Sequence, residues 1–299
     1  MYQSIVSLQS NNASLLQFTL PELLVEELTN ANTAEVIDFL NRRPIHTVTM
    51  LGFIRDNGIQ SKLNRGKFYS CRNRDGRLEG VALIGHATLM ETTTDRALDA
   101  LADVAKRCNN AHMIMGESER IECFWRQYES GGQEMRLACR EFLFELQGSE
   151  CAPEEVDGFR LATLDDLELV MPVQAQMAFE ESGVNPMERD PEGFRARCSR
   201  RIQQGRTWVV IENGTLMFKA DLISETDDVA YLEGVWVNPE RRRSKFGLRC
   251  MSQLADLLFK NKMSICLLVN ERNTGAHNFY RKAGYEFRSI YDTIFLDAC

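Results

Sequence analysis

Apolar residues recur every three or four positions over residues 34–42 (AEVIDFLNR) and 47–56 (TVTMLGFIRD), a spacing that gathers them on one face of a helix. Residues 67–85 change period and predict two strands around Asn73-Arg74-Asp75-Gly76, whose Asp-Gly pair suits a tight hairpin. Helical spacing returns from Asp95 to Arg107 behind a threonine-rich cap. MIMG follows, then a helix around Arg120 to Tyr128 and a strand at FLFEL, 142–146. Residues 147–158 are polar, acidic and without period, as a linker is, and place a domain boundary near residue 150. The expected domains are 1–150 and 158–299. The second half predicts a strand at 159–161, a helix at 164–180 stopped by Gly183, and a helix at 191–204. Strands at 207–212 and 215–223 flank Asn213-Gly214, and a further strand runs from Val229 to Val237. A helix at 245–260, a strand at 264–269, a helix at 274–283 and strands at 285–289 and 291–296 complete it. Both halves run helices, hairpin, strand, helix, which suits a duplicated α/β fold: mixed, mostly antiparallel sheets flanked by helices.

Composition supplies the material for two cores: 299 residues, 44% hydrophobic and 26% charged. The apolar runs are short, and the opening MYQSIVSLQSNN has neither the basic start nor the apolar centre of a signal peptide. A cytoplasmic protein with no membrane partner is expected. A net charge of -8 and a pI near 5.3 argue against broad nucleic-acid binding, which needs a positive field. Nine cysteines without a CxxC pair suit reduced thiols. Four histidines (His46, His86, His112, His277) show no HxxxH or HExxH spacing, so no metal is expected.

The stretch Val237-Asn-Pro-Glu-Arg-Arg-Arg-Ser-Lys-Phe-Gly247 stands out against this acidic background. It leaves a strand and enters a helix. A helix start exposes about four unpaired N–H groups and roughly half a positive charge, to which Arg241, Arg242, Arg243 and Lys245 add their own. The alternative is a solvated loop. On the strand before it, period-two alternation puts Tyr231, Glu233 and Val235 on one face. After the following helix, Asn270 and Asn273 come at the end of a strand, then Ala276, Phe279 and Tyr280 on a helix that stops at Gly284.

Through these residues, 158–296 resembles the GNAT superfamily of acetyl-CoA-dependent N-acetyltransferases. There a strand ends in V-x-P-x-x-R-x-x-G-x-G or -A before a helix, and N-x-x-N-x-x-A-x-x-x-Y-x-x-x-G-F follows. Val237, Pro239, Arg242 and Gly247 match the first block; Asn270, Asn273, Ala276, Tyr280, Gly284 and Tyr285 match the second. Phe179-Glu-Glu-Ser-Gly-Val-Asn-Pro186, Gly205-Arg206, Phe218-Lys-Ala220 and Glu233-Gly-Val-Trp-Val237 resemble a tandem family in which a diverged GNAT-like domain precedes the acetyltransferase domain. Gly85-His-Ala-Thr-Leu-Met90, the helix from Asp95, Gly116-Glu-Ser-Glu and Trp125 fit its first half in order. That half has no R-x-x-G-x-G turn, which assigns the active site to the second. Arg243 and Lys245 stand where the pattern has glycine. A side chain at φ > 0 costs about 1 kcal/mol or more.

Acetyl transfer to an amine needs a neutral nucleophile, a polarised carbonyl and a proton for the departing thiolate. The resemblance implies that backbone groups of Val235, Trp236 and Val237 grip the pantetheine arm of acetyl-CoA. Arg242, Arg243, Ser244, Lys245, Phe246 and Gly247 would hold its pyrophosphate, with Asn270, Asn273 and Phe279 beside it. Tyr280 falls where the superfamily places its general acid, or is a core-facing tyrosine. Glu233 is the first candidate base, or a surface carboxylate. Glu180 and Glu181 belong to the acceptor side, or to a solvated helix end. Asn273 is a cofactor contact, a helix N-cap, or both; Trp208 and Trp236 suit the core. The expected function is transfer of acetyl from acetyl-CoA to a primary amine of a small molecule by direct attack in a ternary complex, in a monomer or homodimer. The rivals are a non-catalytic acyl-CoA or amino-acid sensor and a protein-lysine acetyltransferase.

Overall fold

The structure, a computed structural model, describes residues 23–148 and 154–297. The opening stretch to residue 22, the middle of the expected linker, Cys151 and Cys299 lie outside the described residues. The first half contains β1 (Leu24–Glu27), α1 (Thr33–Leu40), α2 (Pro44–Asn57), β2 (Gly66–Arg72), β3 (Leu78–Gly85), β4 (Ala87–Thr92), α3 (Asp95–Ala105), β5 (Met113–Glu117), α4 (Ser118–Tyr128) and β6 (Met135–Gln147). The second contains β7 (Arg160–Leu161), α5 (Leu167–Ser182), α6 (Pro186–Arg189), α7 (Pro191–Gln203), β8 (Thr207–Glu212), β9 (Thr215–Glu225) and β10 (Val229–Val237). It ends with α8 (Phe246–Phe259), β11 (Ser264–Asn270), α9 (Thr274–Lys282) and β12 (Glu286–Leu296).

Among the described residues twelve strands form one sheet, in the order β1-β2-β3-β4-β5-β12-β6-β11-β10-β9-β8-β7. The last strand of each half has crossed over: β6 lies against β11 and β12 against β5, both antiparallel. β4 with β5 and β10 with β11 are the parallel pairs. The two halves thus share a seam of backbone hydrogen bonds between β6 and β12, and each completes the other's sheet.

In the second half α8 and α9 cover one face, with Ala230 and Leu232 of β10 beneath them. The opposite face carries α5 and α7 over β8 and β9. It also carries α2 of the first half, whose Val48 packs with Tyr231, Leu143, Cys266 and Tyr291. Ser224 Oγ donates to the carbonyl of Val48 at 2.8 Å, and a Cβ on Gly52 would meet that hydroxyl at 1.8 Å. The glycine therefore lets α2 lie directly on β9.

Three expectations change. The strands expected at 285–289 and 291–296 are one strand, β12, with a register irregularity between Phe287 and Ser289. There Arg288 leaves the ladder for Glu145 (Nε to Oε2, 2.7 Å). β6 begins at Met135 rather than at Phe142, because its first residues alternate between half-buried and exposed and carry no apolar run. Val235 does not share a face with Tyr231 and Glu233. Gly234 takes φ 62°, and between Glu233 and Trp236 the ladder to β9 slips. The phase jumps there, so Val235 packs toward α8 and Trp236 toward α5.

Candidate acyl-transfer site

β10 and β11 pair only from Val229 to Tyr231, opposite Ser264 to Cys266, although β10 continues to Val237 and β11 to Asn270. Beyond Tyr231 they splay. The edge of β10 turned toward β11 there has no ladder partner, and unpaired backbone groups take up a ligand that presents matching ones.

The bulge at Gly234 has a buried foundation. Lys219 is wholly buried, and its Nζ donates to Gln174 Oε1 (2.7 Å), Asp221 Oδ2 (2.5 Å) and the Gly234 carbonyl (3.2 Å). Asp221 also accepts from Arg201 (2.9 Å) and Thr207 (2.8 Å). Burial drives the lysine's proton affinity down, opposed by the neighbouring Asp221 carboxylate. All three ammonium donors are used, so Lys219 holds the bulge in place.

The basic turn sits where β10 ends. Arg243 and Lys245 take φ 62° and 63°, the left-handed region that the glycines of the pattern would occupy. α8 begins at Phe246 with no side-chain cap and no acidic residue in its first turn, leaving those N–H groups free for an anion. A Cβ on Gly247 would meet Val237 Cγ2 at 2.9 Å and Phe279 Cε2 at 3.2 Å; glycine is what lets the helix start against the strand end. Arg241 is spent on Glu212 and lies over the Phe246 ring. Arg242 Nε braces the Val237 carbonyl at 2.9 Å, and Ser244 Oγ bonds the Arg241 carbonyl at 2.6 Å. Arg243 and Lys245 have no ion-pair partner among the described residues. An uncapped helix start, two left-handed residues and free cations suit a diphosphate. Phe246 itself belongs to the core.

Across the cleft, Asn273 caps α9 by accepting from the Ala276 N–H at 3.0 Å. Asn270 Oδ1 accepts from the Arg272 N–H, and its carbonyl bonds His277 Nε2. Both side-chain oxygens are thus engaged locally. Tyr280 is packed edge-on to Phe279 and Tyr285, and its hydroxyl has no hydrogen-bond partner among the described residues; burial pushes its pKa far up, so it keeps its proton. The Tyr285 hydroxyl is sealed from solvent and unpartnered.

Glu233 is exposed on β10 beside the split, with protein enclosing the rest of its carboxyl. That enclosure raises its pKa, opposed by Arg201 and Lys219. Glu181, at the end of α5, also faces the mouth; enclosure, then the charges of Glu233 and Glu141, push its carboxyl up to about 8. Glu180 is instead held by Gln176 (2.9 Å) on the same helix. Sequence reasoning passed over Glu141, Tyr231 as a site residue, Lys219 and Gly234. Glu141 stands on β6 of the first half and reaches this cleft only through the strand exchange.

The split parallel strand pair and the uncapped, cation-rich helix start lie within a segment that matches a known family. Residues 174–285 match the Acetyltransferase (GNAT) family. No curated protein matches this chain. Among solved structures, a protein from Drosophila shares 13% identity over 92% of this chain and 98% of its own, with a TM-score of 0.64. A GNAT-family acetyltransferase from Colwellia psychrerythraea shares 10% over 92% and 100%, at 0.58. A tandem GNAT protein from the clavulanic acid biosynthesis pathway shares 12% over 91% and 98%, at 0.53. Residues 174–285 are a GNAT acetyltransferase domain, and the likeness of the whole chain to these structures is one of fold. Among the described residues no group of histidine, cysteine and carboxylate side chains is gathered as a metal site, and no helix is long and apolar enough to cross a membrane.

Proposed function

We propose that the chain is an N-acetyltransferase that carries acetyl from acetyl-CoA to a primary amine, with its single reaction centre in the β10–β11 cleft. The observation that carries this reading is the coincidence of the strand splay after Tyr231 with the uncapped start of α8 and an unpaired carboxylate, Glu233, between them. Arg242, Arg243, Lys245 and the first N–H groups of α8 would hold the diphosphate, and the free edge of β10 the pantetheine arm. When bound, acetyl-CoA supplies a thioester whose carbon joins the amine nitrogen as its C–S bond breaks. Glu233 accepts the proton that the nitrogen must lose; its raised pKa brings it nearer to neutral pH, where a base works best. Tyr280 gives its proton to the departing sulfur, a role that its burial supports by keeping the phenol protonated. Lys219 positions the strand bulge and touches neither partner of the reaction.

Calorimetric titration with acetyl-CoA and coenzyme A, alongside an Arg242→Ala, Lys245→Ala double variant, tests the site. Micromolar binding by the wild type and at least tenfold weaker binding by the variant are expected, followed by thiol release with amines. Absence of binding to either ligand overturns the reading. Binding without turnover on any amine, unaltered by Tyr280→Phe, would make the chain a sensing module.

A further inference from the structure

The mouth of the cleft is more acidic than a single amine requires, and it is built from both halves. On the face that carries Tyr231 and Glu233, β6 presents Cys139, Glu141 and Leu143, and Leu143 packs with Tyr231. Glu141 is buried and paired in register with Asn270 at the end of β11, where the cleft opens. Its Oε2 accepts from Thr293 Oγ1 at 2.7 Å. The end of α5 closes over the same strand: the Glu181 carbonyl lies 3.9 Å from Cys139 Sγ, and the Ser182 carbonyl takes Arg136 Nη1 at 2.8 Å. Glu181 therefore hangs beside Glu141 and faces Glu233.

These carboxylates have few cations. Lys219 and Arg201 both bond Asp221 and share it, so together they offset it and one further carboxylate. Among the described residues neither Glu141, Glu181 nor Glu233 has an ion pair. A second observation points to a ligand. Tyr231 is only 8% exposed, lies on the same face, feels the charges of all three glutamates, and its hydroxyl has no hydrogen-bond partner among the described residues. Unlike that of Tyr285, this hydroxyl is not sealed from solvent, so it is open to a ligand's hydrogen bond.

We infer that the acceptor is a diamine or polyamine: one nitrogen is presented at Glu233, and a second, protonated nitrogen is held by Glu141 and Glu181 with the Tyr231 hydroxyl beside it. This rests on the reading of the cleft as an acyl-transfer site. It also gives the first half a task, since Glu141 comes from its exchanged strand.

The test is thiol release by the full chain with 1,4-diaminobutane, 1,5-diaminopentane and spermidine against 1-aminobutane, glycine and a lysine-containing peptide. It is repeated with Glu141→Gln, Glu181→Gln, whose folding is checked by its acetyl-CoA titration. Diamines are expected to exceed 1-aminobutane at least tenfold in kcat/KM, and the double variant should erase that preference through KM. Equal use of mono- and diamines, better use of the peptide, or an unchanged preference in the variant overturns the inference. Calorimetric titration of 1,5-diaminopentane into the coenzyme A-loaded chain separates the two readings. Diamine binding that depends on Glu141 without any acetylation would retire the acyl-transfer reading and keep the ligand class; no diamine binding would retire the ligand class alone.

Discussion

The two halves repeat one plan and differ at the place where a ligand would enter. β4 pairs with β5 from Ala87 to Leu89 as β10 pairs with β11 from Val229 to Tyr231, which puts Glu91 in register with Glu233. Glu91 is 6% exposed and held between Arg43 (3.3 Å) and Arg120 (3.2 Å). Arg120 also donates to the Thr92 carbonyl at 2.6 Å and pairs with Glu117, so its guanidinium ties the end of β4 to the end of β5. In the second half Glu233 has no ion pair among the described residues to tie β10 to β11. The helix starts differ in the same sense. Only Thr93 and Thr94 separate β4 from α3; the Thr94 hydroxyl accepts from the Ala97 N–H, and Asp95 stands in the first turn. Eight residues separate β10 from α8, which starts uncapped with free cations. A capped helix with an acid in its first turn repels an anion. The two halves thus differ at this place by one connection and one arginine.

Paired substitutions break the comparison most sharply. Glu233→Gln removes the proposed base and should lower kcat/KM by roughly 10²-fold or more. Glu91→Gln, at the matching position, should leave turnover in place. It strips a carboxylate from between two half-buried arginines and should cost about 1–3 kcal/mol in urea unfolding. Loss of turnover in Glu91→Gln at wild-type acetyl-CoA binding would mean that the first half takes part in the chemistry. Stoichiometry gives the next largest contrast: titration with coenzyme A should saturate at one molecule per chain, and a value of two would show that the first half binds as well.

Elements with strong local signals were legible before any coordinates. The Asp-Gly and Asn-Gly pairs do mark hairpins, and β10 spans Val229–Val237 as expected from its apolar run. The left-handed positions of Arg243 and Lys245 followed from two missing glycines. β4 escaped because only His86 separates it from β3, too short a break to interrupt the strand pattern. The strand exchange escaped because pairing partners far apart in the chain leave no local period. With it went Glu141, whose alternating, polar surroundings suggest surface. The slip at Gly234, which moves Val235 to the other face, is a one-residue event inside a single strand, marked in the sequence only by the glycine itself.

The acidic mouth predicts a pH dependence of stability. Glu141, pushed up to about 6 chiefly by burial, and Glu181, up to about 8, bind protons more tightly in the folded chain than unfolded. The folded state then holds the extra protons, so both carboxyls favour unfolding progressively as pH rises from about 5 to 8. His46, His86 and His112 act in the opposite direction: burial lowers their proton affinity, and the stability they contribute is lost as pH falls through the ordinary histidine range. They are common to wild type and variant, so the difference isolates the carboxylates. Glu141→Gln, Glu181→Gln should gain Tm over the wild type as pH rises toward 8 and lose that advantage near pH 5. A constant difference across this range would mean that the cluster does not titrate there.

The smallest effect expected is at Lys245, where two consequences of one residue oppose each other. Glycine at φ 63° relieves left-handed strain of about 1 kcal/mol, while its freedom in the unfolded chain returns about 0.4–1 kcal/mol. Lys245→Gly should therefore change stability by less than about 1 kcal/mol. Its charge is a separate matter. The ammonium is exposed at the start of α8, where it adds to the field of the uncapped N–H groups, and exposed charges are screened by salt. The variant should bind acetyl-CoA about two- to fivefold more weakly at low ionic strength and converge on the wild type at high salt. Weaker binding that persists at high salt would mean that the lysine makes a close contact rather than supplying a field. Tighter binding at every salt concentration would mean that its side chain crowds the diphosphate, and that the glycine of the family pattern serves access to the helix start.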